Sequence, residues 1–199
     1  MSALPLPAAS AIVLAGGRSA RFGRDKMVEP VDGRPLLHHA TEAVAPVATD
    51  VIVVAAPYVD VVVPQGVRLV HDEAPFEGPL AGCMTGLVAA REPLVIVVGG
   101  DMPSLEPAVM ALLLRALVAS SADVALLEHR GRRQQLPFAL RTGAGTDAAR
   151  RLLAQGERRL GALTDRLPVR VLAEEEWRPL DPDAFTLRDV DEPGDLPGA

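Results

Sequence analysis

Residues 10–26 read Ser-Ala-Ile-Val-Leu-Ala-Gly-Gly-Arg-Ser-Ala-Arg-Phe-Gly-Arg-Asp-Lys, the most informative stretch of the chain. Its first five residues form a short, mostly apolar run with β-branched Ile12 and Val13, which predicts a buried strand. The two glycines that follow allow backbone N–H groups to approach a ligand closely. The loop has neither the Gly-Lys-Ser/Thr of a P-loop nor the Gly-x-Gly-x-x-Gly of dinucleotide-binding proteins. A Rossmann dehydrogenase is therefore excluded.

The basic residues of this loop point to a small polyanion as ligand. Arg18, Arg21, Arg24 and Lys26 fall within nine positions, whereas the whole chain carries a net charge of −6. The negative net charge argues against a surface that binds nucleic acids without sequence preference. Of the 20 basic residues 19 are arginine, so Lys26 is the only lysine. A lone lysine among so many arginines indicates a site that needs a compact ammonium rather than a planar fork.

Beyond this loop the pattern predicts alternating strands and helices. Three further strands are expected at 50–55, 67–70 and 93–98. Helices are expected at 35–44, from the glycine-proline loop at 76–82 to about 90, and from 105 to about 119, the last capped by Ser104. Later segments predict strands at 122–127, 136–140 and 169–172, and helices at 146–154 and 158–165. Alternation of this kind predicts a mostly parallel sheet with helices on both faces, which is a three-layer α/β/α, Rossmann-like fold in one domain.

Three polar or glycine-rich elements come directly after predicted strands. They are Gly16-Gly17, Asp72 and Asp101. In sheets of this kind, ligands bind outside the carboxyl ends of the strands. We therefore expect these elements to meet at one edge of the sheet.

Composition narrows the protein class. The 199 residues are 49% hydrophobic but only 3% aromatic, so a core of Val, Leu, Ala and Ile is expected. The apolar stretches are shorter than the ~18 residues of a membrane helix. Cys83 is the only cysteine, which excludes an internal disulfide and a cysteine-based zinc site. The N-terminus lacks the basic start of a secretory signal, so a cytoplasmic protein without membrane contact is expected.

The loop, taken whole, resembles a family signature. The string Leu-Ala-Gly-Gly-x-x-x-Arg-x-Gly-x-Asp-Lys at 14–26 is similar to that of the MobA-like nucleotidyltransferases, and in particular to guanylyltransferases of molybdenum cofactor synthesis. The resemblance continues in four later motifs. These are Asp72 with Gly78-Pro79-Leu80-Ala81-Gly82, Asp101-Met102-Pro103, Gly156-Glu157-Arg158-Arg159, and Asp189-Val190-Asp191-Glu192-Pro193.

The resemblance implies transfer of GMP from GTP to molybdopterin, giving the guanine dinucleotide cofactor and pyrophosphate, with Mg²⁺ as cofactor. It places catalysis on Arg21, Lys26 and Asp101, and acceptor binding on Arg158 and Arg159. The implied nucleotide-binding residues are Leu14, Ala15, Gly16, Gly17, Lys26, Asp72, Gly78, Pro79, Leu80 and Asp101. Residues 10–105 would form the nucleotide-binding half and 106–199 the acceptor-binding half. Transient contact with proteins of molybdenum cofactor biosynthesis or with molybdoenzymes is also implied.

Two departures from the family pattern concern the site. Asparagines are common at the end of the second strand in the family, but this chain has Val54, Ala55 and Ala56. The late Asn-x-Asn is replaced by Asp189 and Asp191. Because a carboxylate suits Mg²⁺, we expect Asp101 to be a metal ligand. Of the two late aspartates, we expect Asp191 rather than Asp189 to be the second ligand.

Alternatives remain open at this point. A cytidylyltransferase or a sugar-phosphate nucleotidyltransferase would use the same scaffold. This chain reads Leu-Ala-Gly-Gly at 14–17, which favours guanine, because similar cytidylyl enzymes tend to read Leu-Ala-Ala-Gly at this place. A nucleotide-binding module without catalysis is the third alternative, and the presence of Lys26 and Asp101 argues against it.

Overall fold

A seven-stranded sheet forms the centre of the protein, in a computed structural model that describes residues 5–16, 26–73 and 78–195. The strands in chain order are β1 (Ser10–Leu14), β2 (Pro30–Val31), β3 (Arg34–Pro35), β4 (Asp50–Ala55), β5 (Arg68–His71), β6 (Leu94–Gly99), β7 (Val124–His129), β8 (Arg132–Arg141) and β9 (Val169–Leu172). The sheet order is β5-β4-β1-β6-β8-β7-β9. Only β8 runs antiparallel to its neighbours in this sheet, so the predicted mostly parallel sheet is confirmed.

The short strands β2 and β3 form a separate hairpin. Its two turn residues, Asp32 and Gly33, both have positive φ. A two-residue turn of this kind matches the twist of paired strands, and the Asp-Gly sequence favours it.

The central strands form because their residues suit burial on both faces. Every residue of β4 and β6 is buried, as is most of β1. These runs are rich in Val and Ile, whose branched side chains pack well on a pleated surface. Helices on the two faces of the sheet account for this burial.

The helices are α1 (Leu36–Val44), α2 (Pro79–Ala89), α3 (Pro107–Val118), α4 (Thr142–Ala154), α5 (Gly161–Asp165) and α6 (Glu174–Trp177). One face of the sheet packs against residues of α1 and α3, such as Leu37 and Leu113, together with Trp177. The other face packs against α2, α4 and α5 through residues such as Leu87 and Leu152. The fold is thus the three-layer α/β/α arrangement expected from the sequence.

Several element boundaries differ from the prediction. The expected cap at Ser104 was wrong, because the side chain of Glu106 accepts the N–H of Ala108 at 3.2 Å and α3 begins at Pro107. Strand β8 begins at Arg132 rather than 136, since pairing with β7 carries it beyond its apolar part. Helix α4 begins four residues early, at Thr142.

The chain order of the strands places a switch point between β1 and β6. From β1 the parallel connections lead to β4 and β5 on one side, and the chain then returns to β6 on the other side. The N–H of Gly100 donates to the carbonyl of Leu14 at 2.9 Å and ties the two strand ends together. Ligands bind at such a point in open α/β sheets. No helix in the described residues is long and apolar enough to cross a membrane.

Candidate active site

The ammonium of Lys26 lies at the switch point and connects three parts of the chain. Its Nζ donates to Asp101 Oδ2 at 2.7 Å, to the Val190 carbonyl at 2.9 Å and to Asp191 Oδ1 at 3.3 Å. Lys26 is only 8% exposed. Burial alone would lower its pKa, but the hydrogen bonds and charges of the two aspartates outweigh burial and raise the pKa above its ordinary value. The lysine is therefore charged at neutral pH.

Asp101 is positioned by the turn that follows β6. Gly99 and Gly100 precede it, and a Cβ on Gly99 would overlap the Asp101 carboxylate. A Cβ on Gly100 would lie 3.0 Å from side-chain atoms of Leu37 and Met27. These glycines therefore let the chain turn closely under the carboxylate. The Asp101 side chain is 23% exposed, which leaves it accessible from the edge of the sheet.

The C-terminal segment completes the site through Val190. The Val190 N–H donates to the Asp101 carbonyl at 2.9 Å, and its side chain is buried with Val31 and Leu36. Asp189 and Asp191 flank this anchored residue. Burial, followed by the charges of Asp191 and Asp101, raises the pKa of Asp189 above its usual range. Among the described residues, Asp101, Asp189 and Asp191 thus bring negative charge close to the ammonium of Lys26.

A second group of residues surrounds Asp72, at the end of β5. The Asp72 N–H donates to the carbonyl of Ala55 at 3.0 Å. A Cβ on Gly82 would lie 3.5 Å from Asp72 Oδ2 and 3.7 Å from the Leu14 side chain, so the three residues meet. A pocket of about 340 Å³ opens beside Asp72, lined also by His71, Glu73, Ala81, Met84, Thr85, Val88 and Leu153.

The amino end of α2 contacts the loop at 156–160. Leu80 N–H donates to the Arg158 carbonyl at 3.2 Å. Gly78 has a φ of +91°, and a Cβ there would lie 2.9 Å from the same carbonyl. Glycine is thus required both by the backbone conformation and by the close approach. This contact joins the start of α2 to the second half of the chain.

The side chains of Arg158 and Arg159 are held within their own loop. Arg159 pairs with Glu157 at 2.7 Å, and its side chain is 79% exposed. Hydrogen bonds from Arg159, and then from Arg158, lower the pKa of Glu157 to about 2. Arg158 Nη1 donates to the carbonyls of Glu157 and Leu153 at 3.0 and 3.3 Å. Both guanidiniums remain at the surface, where a phosphorylated ligand has access to them.

Residues 11–171 match the MobA-like NTP transferase domain. The chain belongs to this family. The match spans β1 to β9 and includes Lys26, Asp72, Asp101 and the loop at 156–160. The residues 189–191 that approach Lys26 lie beyond it.

Curated relatives extend the MobA-like assignment along the chain. The chain is 39% identical to the molybdenum cofactor guanylyltransferase of Burkholderia ambifaria over 173 residues, which cover 81% of this chain and 84% of that protein. It is 36% identical to a probable molybdenum cofactor guanylyltransferase of Chloroflexus aggregans over 199 residues, which cover 94% and 91% of the two proteins. As family members, these proteins and the chain are nucleotidyltransferases.

Solved structures agree on the fold. The molybdopterin-guanine dinucleotide biosynthesis protein A of Archaeoglobus fulgidus superposes with a TM-score of 0.78 at 22% identity, covering 94% of each chain. The 2-C-methyl-D-erythritol 4-phosphate cytidylyltransferase of Thermus thermophilus gives 0.70 at 19% identity, covering 93% of this chain and 94% of its own. The second likeness shows that the scaffold alone does not choose the nucleotide.

The predicted site residues fall into two sets. Lys26, Asp101 and Asp191 meet directly, whereas Leu14, Asp72 and the start of α2 surround the neighbouring strand ends. Ala15 donates its N–H to the Val54 carbonyl at 2.8 Å, and Gly16 follows it at the exposed edge. Gly17 and Arg21 lie outside the described residues.

Sequence reasoning missed one contact of the site, the Val190 carbonyl. A backbone oxygen carries no side-chain signal, so only the tertiary structure reveals it. The alternation of Asp189, Val190 and Asp191 was a partial clue, because an apolar residue between two carboxylates suits a segment with one buried side chain. Its partners, Val31 and Leu36, could not be read from the pattern.

Proposed function

We propose that the chain transfers GMP from GTP to molybdopterin, with Mg²⁺ as cofactor, and releases pyrophosphate. The observation that carries this is the pairing of Lys26 with Asp101 and Asp191 at the switch point of the sheet. The relatives named as molybdenum cofactor guanylyltransferases support the choice of GTP and of molybdopterin. The string Leu-Ala-Gly-Gly at 14–17 supports guanine over cytosine, because similar cytidylyl enzymes tend to have alanine at the place of Gly16.

The residues around Lys26 fit a magnesium ion. Asp101 and Asp191 each place a carboxylate oxygen within 3.3 Å of the same ammonium nitrogen, so one cation already bridges them. Among the described residues no group of three His, Cys, Asp or Glu side chains is arranged to hold a metal. Mg²⁺ usually binds through one or two carboxylates together with substrate phosphates and water, which two aspartates can satisfy. Bound there, Mg²⁺ would neutralise charge on the triphosphate.

Transfer of GMP requires no nucleophile from the protein. A terminal phosphate oxygen of the acceptor attacks the α-phosphorus of GTP and forms the new P–O bond. The bond from the α-phosphorus to the bridging oxygen of the β-phosphate breaks, and pyrophosphate leaves with that electron pair. The protein therefore contributes alignment and charge, which are the main terms in phosphoryl and nucleotidyl transfer.

Lys26 has two tasks in this proposal. It holds the aspartates together, and its ammonium would be available to the phosphates if Asp101 and Asp191 held Mg²⁺ instead. A flexible stem with a compact charge suits both positions, whereas the planar fork of arginine does not. The basic loop that carries Arg21 leads directly into Lys26 and would add positive charge on the nucleotide side.

The two halves of the chain take different substrates in this proposal. Residues 10–105 would hold the nucleotide, with Asp72 and the start of α2 beside the triphosphate. Residues 106–199 would hold the acceptor, with Arg158 and Arg159 available to its phosphate. Transient contact with proteins that supply molybdopterin or collect the product would accompany turnover.

The test is pyrophosphate release from GTP and from CTP, each with and without molybdopterin and Mg²⁺. We expect release only with GTP, molybdopterin and Mg²⁺ together. Lys26→Arg should keep the fold and lose most turnover, whereas Arg150→Lys, at an exposed ion pair on α4, serves as the matched control. Release that prefers CTP, or nucleotide binding without any release, would overturn the assignment.

A further inference from the structure

Strand β8 extends past the end of its neighbour β6. The last pair between them joins Val97 to Phe138, and β6 continues for two more residues to Gly99, so residues 132–135 are the part of β8 that continues beyond the carboxyl edge of β6. Asp101 lies two residues after the end of β6, at the same edge. In the sheet order, β5 and β1 carry the nucleotide elements on one side of β6, and β8 lies on the other. The overhanging part of β8 thus lies on the side of β6 away from the nucleotide elements, where the acceptor would bind.

Gln135, in this overhang, contacts Gly161 at the start of α5. A Cβ on Gly161 would lie 2.9 Å from Gln135 Nε2, so the carboxamide packs against the bare backbone of that glycine. Gly161 directly follows the loop whose Arg158 carbonyl contacts α2. Gln135 is exposed, and its carboxamide makes no hydrogen bond with any residue that the structure describes.

The neighbouring Gln134 behaves differently. Its Nε2 donates to the Arg132 carbonyl at 2.9 Å, so its carboxamide is used within its own strand. The two carboxamides therefore have different neighbours, since that of Gln135 packs against Gly161 instead. Gln134 is therefore a matched control for Gln135.

The overhang is held in place by α6. Trp177 is fully buried, and its Nε1 donates to the Glu128 carbonyl of β7 at 3.0 Å. At the turn between β7 and β8, the Arg130 N–H donates to the carboxylate of Glu174. These contacts fix the hairpin, so that Gln135 is presented from a rigid element rather than from a mobile tip.

We propose that Gln135 determines specificity for the acceptor by hydrogen bonding to the edge of its heterocycle. The proposal rests on the function proposed above, in which the acceptor is molybdopterin. A carboxamide donates and accepts at once, which matches a heterocycle that carries an amino or ring N–H beside a ring nitrogen or oxo group. Gly161 keeps the carboxamide in position because it leaves room for Nε2.

The experiment measures KM for molybdopterin, kcat, and KM for GTP in five variants. Gln135→Met removes both hydrogen-bonding atoms at similar size. It should raise KM for molybdopterin about tenfold, as expected for one or two lost neutral hydrogen bonds. The KM for GTP should stay unchanged. Gln134→Met should leave all three constants unchanged. Gly161→Ala should raise KM for molybdopterin in the wild-type background but not in Gln135→Ala, because its effect acts through the glutamine.

The outcomes separate this inference from the proposed function. An active wild type whose KM for molybdopterin is unchanged by Gln135→Met would overturn the inference and leave the function standing. A wild type inactive with GTP and molybdopterin would overturn both. A thermal melt of each variant identifies a purely structural effect, which would lower Tm without the KM change and would count against the inference.

Discussion

Replacement of Lys26 by methionine tests the charge balance of the site directly. Methionine keeps most of the apolar stem and removes the ammonium that joins Asp101 to Asp191. Hydrogen bonds to charged groups contribute about 1.5–3 kcal/mol each. Because the aspartate side chains are 23% and 44% exposed, solvent screens part of this interaction. We expect a loss of about 2 kcal/mol, which for a chain of this size lowers Tm by roughly 4–8 °C.

Mg²⁺ should then restore part of the lost stability. In the variant, Asp101 and Asp191 face each other without the competing ammonium, so their affinity for the metal rises. At ten times its Kd, Mg²⁺ would return about 1.4 kcal/mol through binding to the folded state alone. Differential scanning calorimetry with and without MgCl₂, on wild type and Lys26→Met, measures both effects.

The double variant Lys26→Met with Asp101→Asn supplies the control. It removes the excess negative charge, so it should melt above the single variant without Mg²⁺ and respond to the metal less. Stabilisation by Mg²⁺ that is equal in wild type and Lys26→Met would refute the idea that lysine and metal draw on the same oxygens. A double variant with a lower Tm than both single variants would also refute this idea, since Lys26 and Asp101 would then show no coupling.

Three further predictions follow from individual contacts. Gly99→Ala should lower kcat at least tenfold in a steady-state assay, because its Cβ overlaps the Asp101 carboxylate, whereas Gly143→Ala has open space and should not. Asp191→Ala should weaken the apparent Mg²⁺ affinity of turnover about tenfold, and an unchanged affinity would remove it as a ligand. Burial of Asp50 opposes its ionisation, but hydrogen bonds from Arg68 and Ser10 outweigh burial and lower its pKa. Its stabilising effect is therefore present above the unfolded pKa of about 3.9 and disappears as pH falls through the folded pKa, so the denaturation midpoints of wild type and Asp50→Asn should converge in acid.

The central part of the fold could be predicted because local and tertiary preferences agree there. The β-branched runs of β1, β4 and β6 can be buried only as inner strands of a parallel sheet, and the structure confirms them. The direction of parallel strands then brings their carboxyl ends to one edge. For this reason the sequence could predict that Gly16, Asp72 and Asp101 lie at one edge, whereas the family resemblance placed Lys26 in one site with Asp101, from which 75 residues separate it.

Other features depend on register and on long-range packing, which leave weak local signals. The apolar part of β8 indicated a strand from 136, but polar residues from Arg132 onward also pair with β7. The overhang beyond β6, and with it the position of Gln135, therefore escaped prediction. The cap of α3 was misplaced because propensity favours serine over glutamate as an N-cap, and only the backbone geometry shows that Glu106 takes this position.

The position of Lys26 depends on the docking of the C-terminal segment as much as on the loop that carries it. The Val190 carbonyl that accepts from Nζ is 164 residues away in sequence, and it is held by the N–H bond to Asp101 and by burial of its side chain beside Val31 and Leu36. If residues 189–191 separate, the ammonium loses two of the three oxygen partners that the described residues give it, because Asp191 leaves with Val190. The docking of residues 189–191 and the placement of the Lys26 charge beside Asp101 are therefore coupled.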